Sequence, residues 1–313
     1  MTEHLQSVFS GGTGRSGTTS VVNLLSRHSL VHTSLPREIR FLTDPYGLLD
    51  ITSPGRRIFF SRSSQGKIGD LKKFLTGKKA VDIFSKRIRT NWFENMGKNG
   101  KPRGLVQSMT LPQLEIELKI FREDFPNAPL QASRDLYHRL AELQIENIGK
   151  TPSTFKYFAD STPINILHAK EIHAFLPESK FVNMVRDGRD VAFSVIKERW
   201  GPSDPFDAIT WWSKRMLAGF QSLKNVPLDQ QITLRLEDLI VNRREETYSS
   251  LLTFLDLNDE KKLHTYFDEN LLATKMTQGA WKNSEIDKAK FEALYQRELA
   301  KLADKGCVVD QLY

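Results

Sequence analysis

One segment near the start constrains this chain more than any other. Gln6-Ser7-Val8-Phe9-Ser10 reads as a short apolar strand and runs directly into Gly11-Gly12-Thr13-Gly14-Arg15-Ser16-Gly17-Thr18-Thr19. A helical pattern follows at once, with Val21, Val22, Leu24 and Leu25 on its apolar face, and Leu30-Val31-His32-Thr33 reads as a second strand. A strand, glycine-rich loop, helix and strand in that order predict parallel strands joined by a crossover helix.

The same alternation returns later. Thr154–Ala159 predicts a strand, Ile164–Phe175 a helix, and Lys180–Val185 a buried central strand. A helix is expected from about Arg189 until Gly201-Pro202, another over Ala208–Leu223, a strand over Gln231–Leu236, and helices over Glu245–Leu255, Glu260–Asn270 and Glu285–Leu302. A helical pattern also covers about Gln131–Ile148. The fold class expected is α/β, a three-layer P-loop-like arrangement with a mostly parallel central sheet flanked by helices. No repeat or linker marks a boundary, so residues 1–313 read as a single domain. Residues 52–130 read as a helical and loop insertion shaping an acceptor site, with basic clusters at Lys72-Lys73, Lys78-Lys79 and Lys86–Arg89.

The 45 Lys and Arg against 38 Asp and Glu give a net charge of +7, which favours anionic ligands without choosing among nucleotides, nucleic acid and acidic surfaces. The lone Cys307 cannot form an intrachain disulfide, and a cytoplasmic setting fits best. No run of residues approaches the ~20 apolar positions of a membrane span.

Gly12–Thr19 predicts an anion site, because glycines let backbone N–H groups converge and a helix N-terminus adds partial positive charge. The loop departs from the nucleotide-triphosphate pattern G-x-x-x-x-G-K-[ST]: Thr18 stands at the lysine position, and the nearest cation is Arg15. The strand at Lys180–Val185 ends in Arg186, where a metal-holding Asp is expected in a phosphotransferase. Both departures point to a ligand neutralised by side-chain cations, with no metal site. The bland reading of the loop is a turn between strand and helix.

Taken together, these segments resemble a sulfotransferase that uses 3′-phosphoadenosine 5′-phosphosulfate (PAPS), closest in motif style to the carbohydrate and tyrosine sulfotransferases. Gly14-Arg15-Ser16-Gly17-Thr18-Thr19 is similar to that family's 5′-phosphosulfate loop, and Val185–Ser194 to its 3′-phosphate motif. In that motif an Arg and a Ser eight residues later bind the 3′-phosphate, as Arg186 and Ser194 are spaced here. Asp160-Ser161-Thr162-Pro163, Arg235-Leu236-Glu237-Asp238-Leu239 and Gly279-Ala280-Trp281-Lys282-Asn283 also match, in the right order. Leu236 replaces the aromatic residue usual before Glu-Asp, which puts an adenine contact there in doubt.

The resemblance implies a division of labour. Gly14, Arg15, Ser16, Gly17, Thr18 and Thr19 hold the 5′-phosphosulfate, Arg186 and Ser194 the 3′-phosphate, and Trp281 with Lys282 closes over the nucleotide. Leu35–Phe41 looks like the family's base-bearing segment, which makes Glu38 the expected base, with Arg15 stabilising the transfer. Arg37 and Arg40 beside it are expected to keep Glu38 ionised and to lower its basicity. The plain alternatives are a surface pair of Glu38 with Arg40, and ion pairs of Arg186 with Asp187 or Asp190. A buried Ser194 could instead bond back to its own helix, while Trp211-Trp212 reads as core packing. His28 and His32 are competing bases, and the other histidines form no metal-ligand set.

The function expected is sulfuryl transfer from PAPS to a hydroxyl or amine on a small molecule, glycan or lipid, releasing 3′,5′-ADP. Nucleic acid is not expected as a partner. The rivals are an ATP-dependent small-molecule kinase on a related P-loop scaffold and a non-enzymatic basic nucleotide- or nucleic-acid-binding module.

Overall fold

In a computed structural model, residues 5–52, 58–59, 68–69, 77–96, 100 and 102–307 are described. Lys72-Lys73 lies outside them, as does the side chain of Lys78.

The sheet has five parallel strands: β1 (Gln6–Gly12), β2 (Val31–Thr33), β3 (Tyr157–Asp160), β4 (Lys180–Val185) and β5 (Gln231–Arg235), in spatial order β2-β3-β1-β4-β5. Register is fixed by side-chain alternation. Val8 of β1, Tyr157 and Ala159 of β3, and Val182 and Met184 of β4 face one core, while Phe9, Phe158 and Phe181 face another.

The first core is closed by α1 (Thr18–Leu25), α7 (Arg244–Leu255) and α8 (Lys261–Asn270). On the opposite face lie α2 (Leu111–Asp124), α3 (Pro129–Glu146) and α4 (Ala169–Phe175), with Phe84, Trp92 and Phe121 in one cluster with Phe9. A third cluster joins α5 (Gly188–Val195), α6 (Pro205–Leu223) and α9 (Lys288–Asp304) around Trp212, Phe291 and Tyr295.

Most expected elements are present with shifted ends. The strand read from Thr154 begins at Tyr157, because Pro152–Thr154 makes a tight 3-10 turn first. The single helix read over Ile164–Phe175 is a 3-10 stretch, Pro163–His168, followed by α4. The helix read up to Gly201 stops at Val195, and α6 starts at Pro205, where the Asp204 carboxylate accepts from the N–H groups of Phe206 and Asp207 at 2.8 and 3.0 Å.

Residues 52–130 hold more core than a decorating insertion. The helix Gly77–Arg87 continues into a π-helical stretch, Ile88–Phe93, and α2 is opened by a capping box between Thr110 and Gln113. Their buried faces belong to the same cluster as β1 and α3. Two short antiparallel pairs, Ile58–Phe59 with Ile68–Gly69 and Asn95–Met96 with Pro102–Arg103, complete the described part.

From β1 the chain crosses to the β2 edge, and from β4 it crosses to β5, so the connections diverge between β1 and β4. In a doubly wound sheet the crevice outside the strand ends at such a divergence is where ligands bind. The loop after β1 and Arg186 after β4 both stand there. No described helix is long and apolar enough to cross a membrane.

Candidate active site

Three residues in four shape the loop: Gly14 (φ 91°), Arg15 (φ 59°) and Gly17 (φ 92°) are all left-handed. Successive turns of this kind aim backbone N–H groups into one concavity, and Gly17 hands the chain to the N-terminus of α1. Arg15 accepts a conformation that disfavours a side chain by ~1–2 kcal/mol. Its orientation is then held from outside the loop: Arg15 Nε–H donates to Ser194 Oγ at 2.8 Å, and Nη1 lies 3.7 Å from Glu198.

Arg186, at the end of β4, is buried and reaches the same loop. One guanidinium nitrogen donates to the Arg15 carbonyl at 3.1 Å, another to the Thr277 carbonyl, and the buried Nε has no partner among the described residues. The ion pairs that would explain it away are not made. Asp187 caps α5 and binds Arg189 at 2.6 Å, while Asp190 accepts from the Gly279 N–H at 2.7 Å. Burial lowers the Arg186 pKa most and Arg15 adds to the effect, against the carboxylates of Asp190, Glu237 and Asp187. A guanidinium held by neutral carbonyls, with a buried N–H unused, is suited to an incoming anion. The buried Ser16 Oγ is likewise unpartnered among the described residues.

These groups border a cavity of about 600 Å³, a size suited to a nucleotide-sized ligand. Its wall carries Gly14, Arg15, Gly17, Thr18, Thr19, Arg186 and Ser194, together with Glu38. Thus the two sequence motifs and the expected base meet at one cavity, as do Leu236 and Thr162 from two of the other segments.

Glu38 stays accessible by facing this space. The surrounding protein raises its pKa above the ordinary glutamate range by reducing its hydration, Arg40 and Arg103 oppose the shift, and Asp44 reinforces it. This reverses the expectation that neighbouring arginines dominate. Arg40 is committed to Asp44 at 2.9 Å, and Arg37 donates to the Thr33 hydroxyl, so desolvation wins. The surface pair of Glu38 with Arg40 is not formed among the described ion pairs.

The segment bearing Glu38 is anchored by Asp160, at the end of β3. Its buried carboxyl accepts from the Ile39 N–H at 3.2 Å, the Thr162 N–H at 2.8 Å and hydroxyl at 2.7 Å, and Asn165 Nδ2 at 2.8 Å. Burial pushes its pKa up to about 7 against those donors.

The competing histidines lie elsewhere. His28 Nδ1 accepts from the Leu30 N–H at 3.0 Å, leaving Nε2 to donate to the Asn258 carbonyl at 3.1 Å. His32 is buried against Phe155 and Phe158. Neither lines the cavity.

Trp281 and Lys282 are also apart from its wall. The Arg189 guanidinium lies 4.8 Å from the Trp281 ring centre, Phe291 packs at 6.2 Å, and Lys282 is exposed. The preceding segment, Lys275-Met276-Thr277, lines the cavity instead, and no described residue of 52–130 does so. That stretch reaches the site indirectly, through the Trp92 Nε1–H to Asp44 at 3.3 Å and the charge of Arg103 near Glu38.

Several liners escaped the sequence reading, Trp200 and Arg215 among them. Trp200 packs against Gly14, where an added Cβ would lie 3.3 Å from its ring. Arg215, on α6, is buried beneath the loop, with Nε–H donating to the Thr13 carbonyl at 2.7 Å. The available signal was an arginine on the face of α6 that also carries Ala208, Trp211, Trp212 and Gly219. Trp212 is core, as expected; Trp211 is also buried, but lies under Arg215.

Residues 7–261 match the model of a sulfotransferase family, described as "Sulfotransferase family". Among solved structures, the chain is similar to a sulfotransferase domain from the curacin biosynthetic pathway, with TM-score 0.50, 18% identity, and 96% and 97% of the two chains covered. A sulfotransferase domain from the Synechococcus PCC 7002 olefin synthase aligns with TM-score 0.48 and 15% identity over 96% and 94% of the chains. Sulfotransferase STF9 from Mycobacterium avium aligns with TM-score 0.47 and 9% identity over 96% and 77%. At these identities the first likeness speaks for the fold alone. A search of curated proteins gave no match.

Proposed function

The chain belongs to the sulfotransferase family, and from that premise we propose that it moves a sulfuryl group from PAPS to a hydroxyl or amine acceptor, releasing 3′,5′-ADP. One observation carries the reading of the donor: Arg186 donates to the backbone of Arg15, and the Arg15 side chain donates to Ser194. The loop expected to hold a 5′-phosphosulfate and the pair expected to hold a 3′-phosphate are thereby one hydrogen-bonded unit beside one cavity.

The residues suit the donor. Gly14–Thr19 offer backbone donors, Arg15 and Arg186 offer charge, and the unpartnered Arg186 Nε is a polar atom that an anionic ligand could satisfy, whereas the buried Ser16 side chain is not on the cavity wall. When bound, the donor supplies an electrophilic sulfur joined through oxygen to its 5′-phosphate. Glu38 takes the proton of the acceptor as the acceptor oxygen or nitrogen bonds to sulfur. The bond from sulfur to the phosphate oxygen breaks with its electron pair left on phosphate. Arg15 and the loop amides face the charge that develops there. The raised pKa of Glu38 makes it a stronger base than an ordinary glutamate. Trp281 and Lys282 enter this reading as a cover only if their segment moves towards the cavity with the nucleotide.

A small molecule or a saccharide is the acceptor class we favour. The accessible part of the cavity is polar on the side of Glu38, Arg40 and Asp44. Incubation with PAPS and a panel of hydroxyl- and amine-bearing small molecules and saccharides, with EDTA present, is expected to release 3′,5′-ADP only when an acceptor is added. Turnover of Mg²⁺-ATP without turnover of PAPS would move the site to the kinase reading.

A further inference from the structure

Arg215 is a buried cation with no counter-charge among the described residues. Its side chain is 7% exposed, and among the described residues no carboxylate lies within ion-pair distance. Among the described residues it makes one hydrogen bond, from Nε–H to the Thr13 carbonyl, and lies 4.7 Å above the Trp211 ring. Its remaining N–H groups meet no acceptor among the described residues, yet the residue borders the cavity. A guanidinium held among neutral groups, with N–H groups open to the cavity, is suited to an anion that enters it. Desolvation accordingly pushes its pKa down to about 10.

The location narrows which anion. Arg15 and Ser194 are joined to Arg186 on the β4 side of the loop. Arg215 holds the start of the loop, at Thr13, and its helix packs on the Pro163–His168 stretch that follows β3, the strand whose terminal Asp160 anchors the Glu38 segment. The cavity wall there is formed by Thr162, Pro163 and Ile164.

Resting on the sulfuryl-transfer reading, we propose that Arg215 contacts the transferring group: its free N–H groups bind the sulfuryl oxygens between the loop and Glu38. It would compensate charge on those oxygens while the acceptor bonds to sulfur, the bond from sulfur to the phosphate oxygen breaks with its electron pair on phosphate, and the acceptor proton passes to Glu38. Three other cations or donors then divide the nucleotide, with Arg186 and Ser194 at the 3′-phosphate and Arg15 at the departing phosphate.

The test uses Arg215→Met, which keeps the length and removes the charge, and inorganic sulfate as the probe. Removing a desolvated charge offsets the loss of the bond to the Thr13 carbonyl, so the ligand-free unfolding midpoint should stay near wild type. Wild type should gain thermal stability as millimolar sulfate replaces chloride at fixed ionic strength, and Arg215→Met should lose the share of that gain that Arg15 and Arg186 do not carry. Its affinity for 3′,5′-ADP, which lacks the sulfuryl group, should stay near wild type, and turnover should fall ~10²–10³-fold, as for removal of an oxyanion donor. Arg215→Lys should regain part of the sulfate response. A sulfate response equal to wild type in Arg215→Met overturns the proposal, as does a matching loss of 3′,5′-ADP affinity. So does a methionine variant that fails to fold, which would assign the guanidinium to holding Thr13. Failure of wild type to bind 3′,5′-ADP would instead strike the donor reading, and the difference in sulfate response between wild type and Arg215→Met would still report on Arg215.

Discussion

Replacing Glu38 by Gln should abolish the base and leave the rest of the molecule in place. The carboxyl makes no ion pair among those described, since Arg40 is held by Asp44 at 2.9 Å, and it faces the cavity. Its loss should therefore change stability by no more than ~0.5 kcal/mol, the usual range for an accessible site without a structural partner. General-base catalysis contributes ~10²–10⁴-fold, or ~2.7–5.4 kcal/mol of barrier at 1.36 kcal/mol per tenfold, so kcat should fall by that factor with PAPS affinity intact.

The pH profile gives a second readout. A base must be unprotonated to act, so activity is present above the Glu38 pKa and lost as pH falls through it. Because the surrounding protein reduces its hydration and raises that pKa, the acid limb should lie above that of an ordinary glutamate, and Glu38→Gln should remove the limb along with the rate. The assay is initial-rate release of 3′,5′-ADP across pH, with calorimetric PAPS affinity alongside. A loss below ~10-fold, short of the general-base range, or an acid limb that survives in Glu38→Gln, would refute the assignment.

Other substitutions probe the parts separately. Arg186→Ala should weaken 3′,5′-ADP by about 10–100-fold, the worth of one or two charge-assisted hydrogen bonds, with a far smaller effect on 5′-AMP; equal losses in calorimetry would remove the 3′-phosphate assignment. Gly17→Ala combines a left-handed φ of 92° with a Cβ that would lie 2.5 Å from Leu236 Cδ1, so denaturant unfolding should show a loss of at least ~1–2 kcal/mol together with weaker nucleotide binding. Wild-type stability in that variant would contradict the loop geometry. Asp160→Ala strands the buried donors of Ile39, Thr162 and Asn165, each costing ~1–3 kcal/mol, and should lower both the unfolding free energy and turnover by releasing the Glu38 segment. Unchanged stability would show that the anchor is not needed.

The sequence carried the sheet well because its strands are buried on both faces. Phe9, Phe158 and Phe181 point one way and Val8, Ala159 and Val182 the other, which reads as apolar runs bounded by turn residues. Helix ends were less legible, since Pro163–His168 and Ala169–Phe175 share one apolar pattern while differing in winding. Local motifs announced the loop, Arg186 and Ser194, and the fold brings these together with Glu38 at one cavity. What sequence could not carry was the surroundings. The direction of the Glu38 pKa depends on Arg40 choosing Asp44, and the importance of Arg215 depends on its having no carboxylate partner among the described residues. Trp281 shows the converse: a loop motif whose side chain rests on Arg189, away from the cavity wall.

The central claim is that this cavity holds an adenosine nucleotide carrying a 3′-phosphate. Calorimetric titration of the wild-type protein with 3′,5′-ADP, against 5′-AMP and Mg²⁺-ATP, tests it most directly. The account predicts selective binding of 3′,5′-ADP. Preference for Mg²⁺-ATP, or equal affinity for 5′-AMP and 3′,5′-ADP, would contradict it.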